Sequence, residues 1–248
     1  MKNLEENKNK NEKNYGILEE KIKKLEKENE DIKNGNIMLR DNLKKQNNEI
    51  HILKEEMKLL KINKERFEKI QKRTINSIIM NENEFNFIEN EIKNKMNKEI
   101  KEIKKLYQAT IDGGEPNIFH IKCDNIPNTL TLIKSLGNRR FGGFTLNSWD
   151  CISEYKADQN AFSFLFSLDK KEVYPIIKNN TAIYCNKKNG PTFGGGWDIW
   201  VEGNVLKING LTTYKCSYEH NGDFIEVYYS NKTKALDIEV FQIIFEEL

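Results

Sequence analysis

Three histidines and four cysteines stand among the 248 residues, and their spacing limits what chemistry is open to them. His120 and His220 fall in the C-terminal half, and neither has a Cys, Asp or Glu neighbour at a spacing read as a metal-ligand pair. His120 also stands in a run, Ile118 to Cys123, that reads as a strand, where a histidine satisfied by its neighbours is expected rather than a catalytic base. Cys123, Cys151, Cys185 and Cys216 are spread about thirty residues apart, which matches no zinc or redox spacing and predicts free thiols. A G-x-S-x-G nucleophile motif is absent. The segment Phe193-Gly194-Gly195-Gly196-Trp197-Asp198 lacks the Lys-Ser/Thr of a phosphate loop and the spacing of a dinucleotide fingerprint, so it reads as a tight turn. Asp158, Asp198 and Glu239 remain as candidate acids, and beside glycines an Asp most often bonds a turn. The expectation is therefore no catalytic residue, no cofactor and no metal.

The elements that must position these residues divide the chain in two. Residues 1–107 contain no Pro, Cys or Trp and only Gly16 and Gly35, whereas all four Pro, all four Cys and all three Trp come later. In the first part, Leu18, Ile22, Leu25, Ile32, Leu39, Leu43, Ile50, Leu53, Met57, Leu60, Phe67 and Ile78 recur in alternating steps of four and three. Sustained heptads of this kind predict a coiled coil, here placed at residues 15–108 behind a disordered tail at 1–14. Asn29 and Asn36 fall at successive a positions, where Asn fixes register and strand number at a cost in stability. A parallel homodimer follows. Beyond Met80, Phe85, Ile88, Ile92, Met96, Ile100, Ile103 and Tyr107 step mostly by four and drift off the seam, as a helix packing on a globular neighbour would.

Asp112-Gly113-Gly114-Glu115-Pro116 breaks that helix, and residues 109–116 read as a linker. After Pro116 the period falls to two. Short aromatic and β-branched runs follow at Ile118 to Cys123, Leu130 to Ile133, Phe141 to Thr145, Ala161 to Leu168, Val173 to Ile177, Ala182 to Cys185, Asp198 to Val201, Phe224 to Tyr229 and Asp237 to Phe245. Such spacing predicts a β-sandwich over residues 117–248, and the fold class is α+β.

Composition excludes some functions. Forty basic against thirty-eight acidic residues give a net charge of +2, far from the basic stripe of a nucleic-acid binder. No run of ~18 apolar residues and no apolar leader stand in the chain, so membrane insertion is not expected and the expected compartment is the cytoplasm.

An ordered set of blocks then carries a resemblance. Ile118-Phe119-His120 and Cys123-Asp124-Asn125 lead into Thr129 to Ile133, then Phe141-Gly142-Gly143-Phe144-Thr145 with Trp149. Asp158 precedes Ala161 to Leu168, Gly194, Gly195 and Gly196 precede Asp198-Ile199, and Ile238-Glu239-Val240-Phe241 closes the series. Together they resemble a TLDc domain, in particular the protist proteins in which a coiled coil leads into that domain. The resemblance implies a β-sandwich flanked by helices, with Phe141, Gly142, Gly143, Trp149, Gly194 to Gly196, Asp198 and Glu239 as structural motif positions. It further implies a non-enzymatic interaction protein linked to oxidative-stress resistance or to regulation of the vacuolar proton-pumping ATPase. A thiol-based redox protein and a purely structural scaffold rod are the alternatives.

Overall fold

A computed structural model describes residues 2–208, 210–220 and 232–247. The expected strand at Phe224 to Tyr229 lies outside the described residues. The chain divides into two compact units, residues 1–66 and 67–248.

Helix α1 spans Lys2–Arg73. It begins well before the expected tail ends, because residues 2–14 hold Lys, Glu, Asn and Leu4 with no Gly or Pro to interrupt them. It also stops far short of residue 108. Lys72 and Arg73 place positive charge at its negative end, and Thr74 turns back to bond the Ile70 carbonyl through Oγ1 at 3.0 Å. Ile78, assigned to the heptad seam, lies past this end.

Helix α2 spans Glu82–Met96 and is fenced on both sides. At its start, Asn81 Oδ1 accepts from Glu84 N at 3.0 Å while Asn81 N donates to Glu84 Oε2 at 3.0 Å, a reciprocal cap. At its end, Asn97 adopts φ 50° and ψ 40°, the left-handed conformation that closes a helix, and donates to the Lys93 carbonyl at 2.8 Å. The helix expected to reach Tyr107 is thus corrected: Ile100–Gln108 is strand β1.

Short helices α3, Ala109–Asp112, and α4, Pro116–Cys123, replace the expected linker and the expected strand at Ile118 to Cys123. Pro116 occupies the first turn, where its missing N–H costs nothing, and Asp124 N closes α4 on the His120 carbonyl at 3.0 Å. Strands β2 (Thr129–Ser135), β3 (Arg140–Thr145), β4 (Glu154–Lys156), β5 (Phe164–Ser167), β6 (Glu172–Pro175), β7 (Ile183–Cys185), β8 (Trp200–Val201), β9 (Leu211–Thr212) and β10 (Ala235–Phe245) complete the unit.

Six strands form one antiparallel sheet in the order β1-β10-β2-β3-β5-β6, and β4-β7 and β8-β9 form two-stranded ribbons. The α+β class holds. Alternation along the strands sends side chains to two separate cores. Leu130, Leu132, Phe144, Phe164, Phe166, Phe241 and Ile243 pack with Ile75, Ile79 and Met80 and with Phe85, Ile88 and Ile92 of α2. Ile133, Phe141, Leu165, Ile238 and Val240 pack instead with Phe119 and Cys123 of α4, Trp149, Ile183, Phe193, Ile199 and Tyr218. The globular unit therefore needs residues well before 117, since β1 and the first core come from there.

Candidate functional site

The two glycine blocks meet across the second core. Gly142 and Gly143 pair with Leu132 and Thr131 of β2. A Cβ on Gly142 would strike the Thr131 carbonyl oxygen, and one on Gly143 would lie 2.7 Å from the Phe193 ring, so close packing excludes any larger residue at either position. Phe193 opens the second block, and its backbone pairs with Ile199 through hydrogen bonds of 2.8 and 3.2 Å. Between them Gly194 takes φ +84° and its Cα lies against the Asp198 carboxylate, a place for glycine alone. Trp149 meets Phe119 and Phe193 edge-on, at 5.6 and 5.4 Å between ring centres, and donates from Nε1 to Thr129 Oγ1 at 3.0 Å.

Asp198 is fully buried. Its Oδ1 accepts from Cys216 N at 2.9 Å, Tyr218 N at 3.0 Å and Ser217 N at 3.1 Å, and its Oδ2 lies 2.9 Å from Ser217 N. His220 Nε2 lies 3.1 Å from Oδ1. Three consecutive amides on one carboxylate shape the loop at 216–218 and leave no lone pair aimed at solvent. This is an anchor. Asp158 acts similarly on a smaller scale, accepting from Ser163 N at 2.5 Å and Asn160 N at 3.3 Å.

Glu239 is likewise buried but belongs to a different neighbourhood. Lys105 Nζ donates to its Oε1 at 2.6 Å, Ile78 N donates to the same oxygen at 3.3 Å, and Ser77 Oγ donates to Oε2. Ser77 Oγ in turn accepts from Ile79 N and Met80 N, each at 3.0 Å. The acid of the last strand thereby fixes the segment between α1 and α2 to the sheet. Asp198 and Glu239 share no hydrogen-bond partner among the described residues, so they form no acid–base pair.

This frame, one six-stranded antiparallel sheet with two closely packed glycine blocks and buried acids on separate anchoring duties, is matched by the family model for the TLDc domain over residues 73–244. The chain belongs to the TLDc domain family. TLDc domains are protein-interaction domains associated with oxidative-stress resistance and with the vacuolar proton-pumping ATPase. A search of curated proteins gave no match. No helix among the described residues is long and apolar enough to cross a membrane.

Within this TLDc domain Phe141, Gly143, Trp149, Gly194 and Asp198 gather at the second core, Gly142 turns to Phe166 of the first, half-buried Gly195 and Gly196 lie against Thr181 and Cys216, and Glu239 stands apart with Ser77 and Lys105. The thiols separate by burial. Burial pushes the Cys123 thiol well above its ordinary range, and pushes Cys185 up to about 12. Cys151, exposed, is also raised, by desolvation first and then by its contact with Asp124. A reactive thiolate needs a shift in the other direction. Cys216 lies 3.5 Å from Lys178 Nζ.

Two features escaped the sequence reading. Asp237 accepts from Gln108 Nε2 at 2.8 Å and from Thr110 N at 3.0 Å and Thr110 Oγ1 at 2.7 Å, tying α3 to β10. His120 Nδ1 lies 2.7 Å from Asp124 Oδ1, with Cys151 Sγ 3.5 Å from the other carboxylate oxygen. Residues 120 and 124 are four apart, which stacks them one turn apart on a helix but sets them about 13 Å apart along one face if the run is read as a strand. Recognising Pro116 as a helix start rather than a break would have paired them.

Proposed function

We propose that this chain is a non-enzymatic adaptor, in which residues 1–66 bring two copies together and the TLDc domain engages a protein partner. The observation that carries it is the apolar seam of α1. Leu18, Ile22, Leu25, Ile32, Leu39, Leu43, Ile50, Leu53, Met57 and Leu60 are between 48% and 70% exposed. Large side chains held on one face at heptad spacing gain ~25 cal/mol per Å² on being covered, and a second copy offers the same seam in the same register. Asn29 and Asn36 at the a positions favour a parallel pair. Family membership supports a partner for the domain, with the proton pump and stress-linked complexes as the candidates, and a cytoplasmic location accords with such partners.

Sedimentation equilibrium of the full chain and of a chain starting at Phe67 tests the first half: a dimer that becomes a monomer on removal of residues 1–66 is expected, and a full-length monomer at tens of micromolar overturns it. Affinity capture with the same two chains tests the second, since a partner of the TLDc domain is retained by both.

A further inference from the structure

The C-terminal end of α4 and the turn after Trp149 bring together three side chains that neither core nor the proposed adaptor role uses. His120, Asp124 and Cys151 each offer one donor atom, and the three atoms lie within 4.8 Å of one another. We propose that His120 Nδ1, the Asp124 carboxylate and Cys151 Sγ bind a divalent cation of the zinc class, with a fourth position open to solvent.

The orientation of the imidazole is the first support. His120 Nε2 faces two backbone carbonyl oxygens, Asn186 O at 3.0 Å and Asn189 O at 3.1 Å. Carbonyls only accept, so the Nε2 hydrogen is directed at them, and Nδ1 is the ring nitrogen that faces Asp124. A backbone carbonyl receiving the far N–H is how a metal-bound histidine is usually held in place. Nδ1 stands 2.7 Å from Asp124 Oδ1, a contact that needs a positive centre between them, and a proton on Nδ1 and a metal ion compete for that one position.

The dimensions fit. With arms of about 2.0 Å to nitrogen and oxygen and about 2.3 Å to sulfur, donors around a tetrahedral zinc stand roughly 3.3 to 3.5 Å apart. Cys151 Sγ and Asp124 Oδ2 are already 3.5 Å apart, the His120–Asp124 pair has to open by about half an ångström, and the donors that stand farthest apart, within 4.8 Å, have to close, a movement left to the exposed Cys151 side chain. Nitrogen, carboxylate and thiolate donors together select zinc or cobalt over magnesium and calcium, which take all-oxygen shells.

Access and consequence follow from burial. His120 is buried, Asp124 is half-buried and Cys151 is exposed, so a cation enters from the Cys151 side and retains a solvent ligand there. The backbone already joins these parts, with Asn125 N donating to the Trp149 carbonyl at 3.0 Å. A bound cation would clip α4 to the turn that follows Trp149.

The test uses the full chain, stripped with chelator and then equilibrated with Zn(II) or Co(II) alone. One zinc per chain is expected, together with a cobalt spectrum showing thiolate-to-metal charge transfer. Cys151→Ser should abolish that band and weaken zinc at least about tenfold. Asp124→Asn should weaken zinc to a similar extent, and Cys216→Ser should leave both signals intact. Matching melting temperatures of the metal-free Cys151→Ser and unsubstituted chains establish that the loss is one of ligand and not of fold. Absence of stoichiometric zinc, which leaves only a shared proton between His120 and Asp124, overturns the proposal. So does zinc retained at unchanged strength by Cys151→Ser.

Discussion

The helical unit and the globular unit treat the same residue type in opposite ways. Ile22, Ile32 and Ile50 of α1 are about half exposed, whereas Ile88, Ile92, Ile133 and Ile183 have no accessible surface. Within residues 67–248 the core side chains find their cover in the same chain, through α2, α4 or the ribbons, while single apolar residues such as Ile111, Ile121 and Ile152 stay exposed without forming a seam. Within residues 1–66 the helix has a continuous seam and nothing of its own to lay on it. Helical spacing alone does not distinguish the two, because Phe85, Ile88 and Ile92 also lie on one helical face. What differs is the reciprocal Asn81–Glu84 cap, which starts a separate short helix that packs on the sheet.

The most severe way to break this comparison is to cut the domain where its β-rich sequence begins. A chain starting at Asn117 loses α2, β1 and the Ser77 segment, and with them half of one core. It is expected not to fold cooperatively, while a chain starting at Phe67 melts close to the full-length temperature. Circular dichroism melts of both decide this, and equal melts would show that α2 is only a spacer. Next in size is Trp149→Ala. Removing a buried indole that touches two rings and bonds Thr129 should cost about 4 kcal/mol in urea denaturation.

Glu239→Gln should cost about 3 kcal/mol, because Lys105, Ser77 and Ile78 lose a common charged acceptor inside the protein. If that substitution leaves stability unchanged, the junction segment is held by its apolar residues alone. For the helical unit the sign reverses: Asn29→Leu with Asn36→Leu should raise the melting temperature of the helical transition and broaden the distribution of oligomers in sedimentation. A single sharp dimer at unchanged stability would remove these asparagines from the seam.

The smallest effect concerns pH. Asp112 is held below the usual carboxylate range: burial alone would raise it, but Lys122 at 2.8 Å and the Gln108 amide at 2.8 Å outweigh that. A carboxylate depressed in the folded state contributes stability above its unfolded value, near pH 4, and that contribution is lost as pH falls through the lower folded value. Lys122→Met should therefore lower the unfolding free energy from urea denaturation at pH 7 by less than about 1 kcal/mol and leave it unchanged near pH 2.

Much of the sheet was legible because period-two runs such as Leu130 to Ile133 and Phe141 to Thr145 have aromatic and β-branched residues bounded by turns. Strand β1 was not. Ile100, Ile103 and Tyr107 lie three and four apart, and two irregularities in its pairing with β10, between Ile100 and Glu102 and between Lys105 and Tyr107, let a strand carry a helix-like spacing. At the site, the glycines and Asp198 were readable from local turn chemistry. The partners of Glu239 and of Cys151 were not, since Ser77 stands 162 residues from Glu239 and Asp124 stands 27 from Cys151, and one-dimensional spacing carries no information on such pairings.

The position of β10 governs how the domain comes into being. The strand nearest the C-terminal end lies inside the sheet, between β1 and β2, so ribosomal synthesis delivers an interior strand after all the others. Until it arrives, β1 has no hydrogen-bonded neighbour and β2 presents an open edge, the kind of surface on which nascent chains cross-pair. Closing β1 against β10 spans nearly the whole domain, which makes the final step slow by loop entropy. A ribosome that stalls before Ala235 would leave an unfinished sheet in need of a chaperone.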